Sequence, residues 1–463
     1  MSDYDLIVLG SGPGGYVAAI RAAQLGLKVA IVERENLGGI CLNWGCIPTK
    51  TLLASAEVLH MVQAAASFGI QTTGSAVADF AAMQKRKDDV VAKLRNGIAQ
   101  LVKANKITLF TGAAAFQSRR QIAITADGKT EVIESDKVII ASGSAPLVPG
   151  FIPKSERVLD STAMLAAKTI PASLLVLGGG VIGCEFACLF ARLGTKVTVV
   201  EMLDSILPTL DKEVARTMAA EMKKLGIEIH TGKPLADITA TATGISGNVG
   251  DTIVMADYLL VSIGRKPISA ELNLAAAGVK ADAKGFIAVD DHCRTSVPGV
   301  YAIGDVTGRI QLAHVASAMG ICAANNATGK NDTFRDDLVP GCIFTFPEIG
   351  TVGLTAEQCA EKNIETHVGK FAFAGLGKAM AIGETAGFCK IIADKNTDRV
   401  LGVHIVGAHA TDLIAEAATA MNLQVTAAEL GKAIHAHPTL GEITMEAAHA
   451  VHGECIHAPP KKK

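Results

Sequence analysis

An excess of charge of either sign is missing from this chain. Its 463 residues carry 43 Lys and Arg against 45 Asp and Glu, a formal net charge of -2. No general electrostatic pull toward nucleic acid or an anionic membrane follows from that balance. Apolar runs of membrane-spanning length are also lacking, since the longest candidate, 174–191, is interrupted by a glycine turn and by Glu185. The opening Met1-Ser2-Asp3-Tyr4-Asp5 has no cationic stretch of the kind that begins a secretory signal. Aromatics are scarce at 4 %, with one tryptophan, Trp44. Ten cysteines, mostly single and embedded in apolar sequence, suit a reducing compartment, the cytoplasm, better than a disulfide-stapled secreted fold. A chain this long is expected to divide into two to four domains. The closing Lys461-Lys462-Lys463, after two prolines, reads as a solvated tail.

What is present is concentrated in Gly38-Gly39-Ile40-Cys41-Leu42-Asn43-Trp44-Gly45-Cys46-Ile47-Pro48-Thr49-Lys50. Residues five apart on a straight helix are separated by at least about 7.5 Å along its axis, beyond the roughly 7 Å at which a disulfide closes. A bridge between Cys41 and Cys46 therefore needs a distorted first turn, and Gly45 and Pro48 supply the freedom for one. The apolar run 51–66 continues as a helix, which puts Cys46 near a helix N-terminus, where the macrodipole favours the thiolate. A redox disulfide is the expectation; two buried thiols or a passive bridge are the alternatives.

Residues 5–9 form a short apolar run fitting a buried parallel strand, followed by Gly10-x-Gly12-x-x-Gly15, an alanine-rich helix over 16–25, and a second strand, 28–33, ending in Glu33. Glycines there let backbone amides approach a pyrophosphate at the helix N-terminus, and the terminal carboxylate accepts ribose hydroxyls. The unit recurs as 174–177, Gly178-x-Gly180-x-x-Gly183, a helix through Leu193, and 196–201 ending in Glu201. In both copies the acid stands 23 residues after the first glycine, from 10 to 33 and from 178 to 201. Two dinucleotides are implied.

Chemistry assigns them. Nicotinamide exchanges only hydride, whereas a flavin also accepts a thiolate, so a flavin must lie between the cysteines and NAD. Cys41 follows Glu33 closely, so the first module is expected to bind FAD, non-covalently and one per subunit, and the second NAD. Glu201 would bond the 2′-hydroxyl of NAD and repel the extra phosphate of NADP. The strand 138–140 leads to Ser142-Gly143-Ser144, the strand 259–263 to Gly264-Arg265, and 300–303 to Gly304-Asp305, with Asp305 placed to hold a sugar-like hydroxyl; Ser144 and Gly264 are counted with the cofactor sites. Cys184 and Cys188 lie one helical turn apart, but nothing completes a ligand set, so packing is favoured and no metal is expected.

Together with His435-Ala436-His437-Pro438-Thr439-Leu440-Gly441-Glu442, these motifs resemble the flavin-dependent pyridine nucleotide-disulfide oxidoreductases over nearly the whole chain. The resemblance implies an α/β fold: two Rossmann-like dinucleotide-binding domains plus a C-terminal α+β dimerisation domain. Its divisions would be 1–145 (FAD, first part), 146–268 (NAD), 269–338 (central, completing the FAD domain) and 339–463 (interface). It implies oxidation of dihydrolipoamide to lipoamide with reduction of NAD, in a homodimer in which His437, oriented by Glu442, serves as general base at the other subunit's disulfide. Lys50 would lie at the flavin's reactive edge and pair with Glu185, Gly112 would contact the adenine, and Ala313 would sit near the flavin ring. The thiol substrate would be free dihydrolipoamide or a lipoylated carrier of a 2-oxoacid dehydrogenase or glycine cleavage complex. Another NAD(P)H-dependent disulfide reductase of the family, or a flavoprotein with a structural assembly role, are the alternatives. His435, His449, His452 and His457 are read as structural. Three positions depart from the family's pattern: Ile40 for threonine, Trp44 for a small aliphatic, and Met319 where an acid is frequent.

Overall fold

The computed structural model describes residues 2–459, so the lysine tail at 461–463 lies outside the described residues. The chain divides into two compact units, each described separately. Within the described residues, one holds 2–149, 160–169 and 264–336; the other holds 150–159, 170–263 and 337–459.

In the first unit the apolar runs pair as a five-stranded parallel sheet in the order Val300–Ala302, Val138–Ile140, Leu6–Leu9, Val29–Glu33, Thr108–Thr111. The strand Leu6–Leu9 sits at its centre and is wholly buried, as its unbroken apolar run requires. Helix Pro13–Gln24 begins immediately after the glycine triplet, with Pro13 at its first turn, where a missing N–H costs nothing. Helix Ala313–Ala327 packs beside it, closely enough that a Cβ on Gly320 would stand 2.5 Å from the Gly14 carbonyl. An antiparallel three-stranded sheet (Ala113–Phe116, Gln121–Ala126, Lys129–Glu134) and a helix, Phe80–Ala104, complete the unit. Neither stands out from nucleotide-fold periodicity, and both were unread in the sequence.

The second unit repeats the plan. Glu228–His230, Lys196–Val200, Ser173–Leu177 and Tyr258–Val261 run parallel in that order, with Val158–Asp160 at the sheet's edge. Helix Val181–Arg192 follows its own glycine triplet. After residue 338 lies a five-stranded antiparallel sheet, with order Gly341–Ile343, Glu348–Gly353, Val400–Gly407, Phe388–Asp394, Thr366–Ala372. Alanine-rich helices Ala410–Asn422 and Glu442–Val451 cover it, burying Ile414, Ala417, Ile443 and Ala447 against Ile391, Val403 and Ile405. Among the described residues no helix is long and apolar enough to cross a membrane.

One buried ion pair ties two parts of this unit together. Lys390, in the sheet, donates to Asp211 at 2.8 Å, and Asp211 also caps helix Lys212–Lys224 by accepting from the Glu213 amide at 3.0 Å. Burial would raise the Asp211 carboxyl, but the Lys390 hydrogen bond and charge outweigh it and hold it below the ordinary carboxylate range. A depressed carboxyl contributes stability that is complete above its unfolded pKa and is lost as pH falls through the folded one. Lys390→Ala, which strands the Asp211 charge, is expected to cost about 3–5 kcal/mol at neutral pH in urea unfolding. On acidification variant and wild type should converge; a gap that persists in acid would mean that lost packing, not charge, explains the cost.

Candidate active site: a dithiol beside a nucleotide fold

The stretch around the two cysteines folds as two helices, not as one with a distorted turn. Gly39–Trp44 ends at Gly45, whose backbone (φ -146°, ψ -108°) breaks the path, and Cys46–Gln63 starts directly at Cys46. The helix thus begins earlier than the 51–66 run indicated. Two contacts fix the break: Asn43 donates to the Leu37 and Gly39 carbonyls at 3.0 and 2.9 Å, and Thr49 donates to the Gly45 carbonyl at 2.7 Å. Both cysteines are half-buried thiols in this structure. Their side chains hydrogen-bond to one another, and that bond, followed by burial, pushes Cys41 far above its ordinary range while the charge of Lys50 pulls it down. The two sulfurs thus lie against one another, and Cys46 sits at a helix N-terminus, where partial positive charge gathers. Trp44 closes the first helix beside this pair, and Tyr16, its phenol raised by burial, lies close enough to feel a charge on Cys41.

The glycine triplet and its acid come together locally. Glu33 accepts from the Ser11 amide and hydroxyl at 3.0 and 2.6 Å and from the Glu35 amide at 2.9 Å. A Cβ on Gly10 would stand 2.5 Å from the Ala141 carbonyl and one on Gly15 2.0 Å from the Gly10 carbonyl, whereas one on Gly12 would meet nothing within 4 Å. Open space beside the middle glycine, at a helix whose N-cap has no side-chain partner, is a cradle of the kind a pyrophosphate fills. The second copy has the same form. Glu201 accepts from the Gly179 and Leu203 amides at 2.8 Å each, Cβ atoms on Gly178 and Gly183 would clash at 2.6 and 2.0 Å, and Gly180 faces open space. These residues fit the dinucleotides inferred from the sequence.

Ser144 and Asp305, 161 positions apart, are directly hydrogen-bonded. Arg265 completes the group, donating to the Ser144 hydroxyl at 2.7 Å and its carbonyl at 2.9 Å. Sequence reasoning quoted Arg265 without a role, because only the pairing of strands Ser144–Pro146 and Arg265–Pro267 brings it there. Ser11 was also missed; a hydroxyl directly after the first glycine was the available signal. Gly112 donates its amide to the Glu33 carbonyl at 2.9 Å and is crowded by Thr125, so a side chain is excluded. Ala313 opens helix Ala313–Ala327, and the Gly264 carbonyl accepts from the Leu147 amide at 3.0 Å.

In the second unit, Glu185 is buried and accepts from the Phe344 amide at 3.0 Å. His437 is largely exposed, and its Nδ1 bonds Glu442 Oε1 at 2.8 Å while Oε2 takes the Thr439 amide at 2.9 Å. Burial would raise Glu442, but the Thr439 amide and His437 hold it below the ordinary carboxylate range. In the tautomer that donates Nδ1–H to that carboxylate, Nε2 is the ring nitrogen left to accept a proton. Three of the four histidines read as structural have fixed partners: His435 bonds Glu416 at 2.7 Å, His452 Asp398 at 3.1 Å, and His457 Glu446 at 2.6 Å. Cys184 donates to the Gly179 carbonyl at 3.3 Å and is buried with Cys188.

Known proteins share this arrangement. Residues 4–320 match the family described as pyridine nucleotide-disulphide oxidoreductase, and residues 339–448 match its dimerisation domain. Dihydrolipoyl dehydrogenase of Chlamydia muridarum (strain MoPn / Nigg) is 42% identical over 463 residues, covering 99% of each chain. That of Thermus scotoductus is 44% identical over 465 residues, again 99% of each. Among solved structures, LpdA from Mycobacterium tuberculosis has a TM-score of 0.89 at 28% identity, covering 96% of this chain and 98% of its own. The Cu(II) complex of the HOCl-induced flavoprotein disulfide reductase RclA from Escherichia coli has a TM-score of 0.88 at 28% identity, covering 97% and 99%. With the paired glycine folds, the dithiol and both family matches in hand, the chain belongs to the pyridine nucleotide-disulphide oxidoreductases.

Proposed function

We propose that this chain oxidises dihydrolipoamide to lipoamide and reduces NAD to NADH, as a homodimer that carries the electron pair on Cys41 and Cys46. The observation that carries the reading is the hydrogen-bonded thiol pair at a helix N-terminus, in the unit that holds the first glycine fold. FAD, when bound, supplies the two-electron acceptor between the dithiol and the nicotinamide; Gly10, Gly12, Gly15, Glu33, Gly112, Ser144, Asp305 and Ala313 would hold it. Gly178, Gly180, Gly183, Glu201 and Gly264 would hold NAD.

The residues divide the work by their chemistry. In the oxidised pair, a substrate thiol loses its proton to Nε2 of His437 from the partner subunit, and the thiolate attacks Cys41. The S–S bond breaks, and Cys46 leaves as a thiolate favoured by its helix N-terminus. The substrate's second thiolate then attacks its own linked sulfur, lipoamide departs, and Cys41 and Cys46 are left reduced. Lys50, one turn beyond Cys46, stabilises negative charge at the pair. The four-part division at 145, 268 and 338, the cytoplasmic setting and the lipoylated carrier complexes belong to the same proposal.

The test is anaerobic titration of the flavin-loaded protein with NADH, followed by a challenge with lipoamide or glutathione disulfide. Rapid reoxidation by lipoamide is expected; reoxidation by glutathione disulfide alone would favour a general disulfide reductase, the reading to which the RclA likeness lends weight. Glu201→Ala should raise KM for NAD about tenfold, from a lost charge-assisted hydrogen bond, with kcat little changed. Steady-state kinetics with NAD and NADP would read it, and an unchanged KM would remove Glu201 from the ribose site.

A further inference from the structure

A second pair of cysteines, away from the glycine folds, has the geometry of a dithiol. Cys293 sits in a tight turn in which Asp290 accepts from the His292 and Arg294 amides at 2.9 and 2.8 Å, and its backbone is left-handed (φ 61°). Cys322 lies in the middle of helix Ala313–Ala327. Each thiol reaches into the other's element: Cys293 Sγ donates to the Met319 carbonyl at 3.6 Å, and Cys322 Sγ to the Asp291 carbonyl at 3.8 Å and the Asp332 carbonyl at 3.5 Å. Their exposures are 0% and 3%. The surrounding loop is pinned by the Asn326 amide, which bonds the Asp332 carbonyl at 2.8 Å and Cys322 Sγ at 3.4 Å, and by the Phe334 amide, which donates to the Asp291 carbonyl at 2.7 Å.

We propose that Cys293 and Cys322 are a second redox pair, converted by a small hydroperoxide into an intramolecular disulfide between the 290–294 turn and helix Ala313–Ala327. Hydrogen bonding supplies the direction of attack. Cys322 Sγ takes a side-chain N–H from Asn326 at 3.4 Å, a donor that favours charge on that sulfur, whereas Cys293 Sγ is turned to the Met319 carbonyl at 3.6 Å. Cys322 gives up its proton as its sulfur attacks one peroxide oxygen; an S–O bond forms as the O–O bond breaks, and the hydroxide expelled takes up that proton and leaves as the first water. Cys293 then attacks that sulfur, the S–S bond forms as the S–O bond breaks, and the second water carries away the Cys293 proton. Two thiols lose two electrons and two protons, and one hydrogen peroxide becomes two waters. Near-complete burial selects the oxidant, because a bulky disulfide has no in-line approach to either sulfur. The bond ties the turn to a helix already held on its other side by the Gly320–Gly14 approach.

Peptide mapping tests this on the flavin-loaded protein as purified. It is treated with hydrogen peroxide at a dose that oxidises the exposed Met380, denatured in iodoacetamide and digested with trypsin. Residues 285–294 and 310–330 are separate tryptic peptides with one cysteine each. The expected result is a cross-linked species two hydrogens lighter than the two thiol peptides together, abolished by dithiothreitol and absent from Cys293→Ala. Recovery of both peptides alkylated, or Cys322 as sulfinic acid beside an alkylated Cys293, would overturn the proposal. Dihydrolipoamide turnover plays no part in the readout, so failure here and failure of the proposed function remain distinguishable.

Discussion

Cys46→Ser is expected to leave FAD bound and NAD reduction by dihydrolipoamide reduced by on the order of 10³-fold or more, because a serine oxygen cannot form the disulfide with Cys41 that accepts the substrate's electron pair. Structure and chemistry are separable at this position. The helix Cys46–Gln63 starts at this residue, but its first turn is held by the Thr49 hydroxyl on the Gly45 carbonyl and not by the sulfur. Serine at the same site should therefore keep the fold and the flavin-to-protein ratio. Absorbance of the bound flavin and anaerobic turnover measured on one preparation decide the matter. Loss of flavin together with turnover would make Cys46 a structural residue, and substantial residual turnover would remove it from the electron path altogether. Cys41→Ser should be equally inactive toward lipoamide, since it removes the sulfur that receives the substrate.

The second large effect is expected at His437. His437→Gln should lower kcat/KM by about 10²–10⁴-fold, the range typical of a lost general base, and should flatten the acid limb of the pH–rate profile. The side chain is largely exposed in the described chain, so the melting temperature should hardly move. Glu442→Gln should cost less, because it leaves the base in place and weakens only its orientation and the imidazolium's stabilisation. In the double variant the losses should not add, since both residues act through one proton transfer. A His437→Gln enzyme within a few-fold of wild type across pH would end the assignment, as would additive losses in the double variant.

Much of this was legible in short windows. The spacing from Gly10 to Glu33 and from Gly178 to Glu201 encodes strand, turn, helix and strand within one stretch, and each acid closes back onto its own turn, at Ser11 or Gly179. His437 and Glu442 likewise bond across five positions. The break at Gly45 was less legible. A distorted turn and a helix restart both satisfy the need to bring Cys41 and Cys46 together, and the choice between them depends on how Asn43 and Thr49 satisfy the backbone on either side. The antiparallel insert at 113–134 went unread because short, half-exposed strands carry weak periodicity.

By itself the sequence determined two dinucleotide folds, a cysteine pair set for redox work and a late histidine–carboxylate motif, because each is written in contiguous residues whose backbone geometry is locally dictated. Only the tertiary structure decided the rest. Arg265 reaches Ser144 across 121 positions, Lys390 meets Asp211 across 179, and Cys293 shares a buried space with Cys322. Such pairs depend on which strands close against one another and which loops bring their ends together, and no local pattern of apolar and polar residues carries that information.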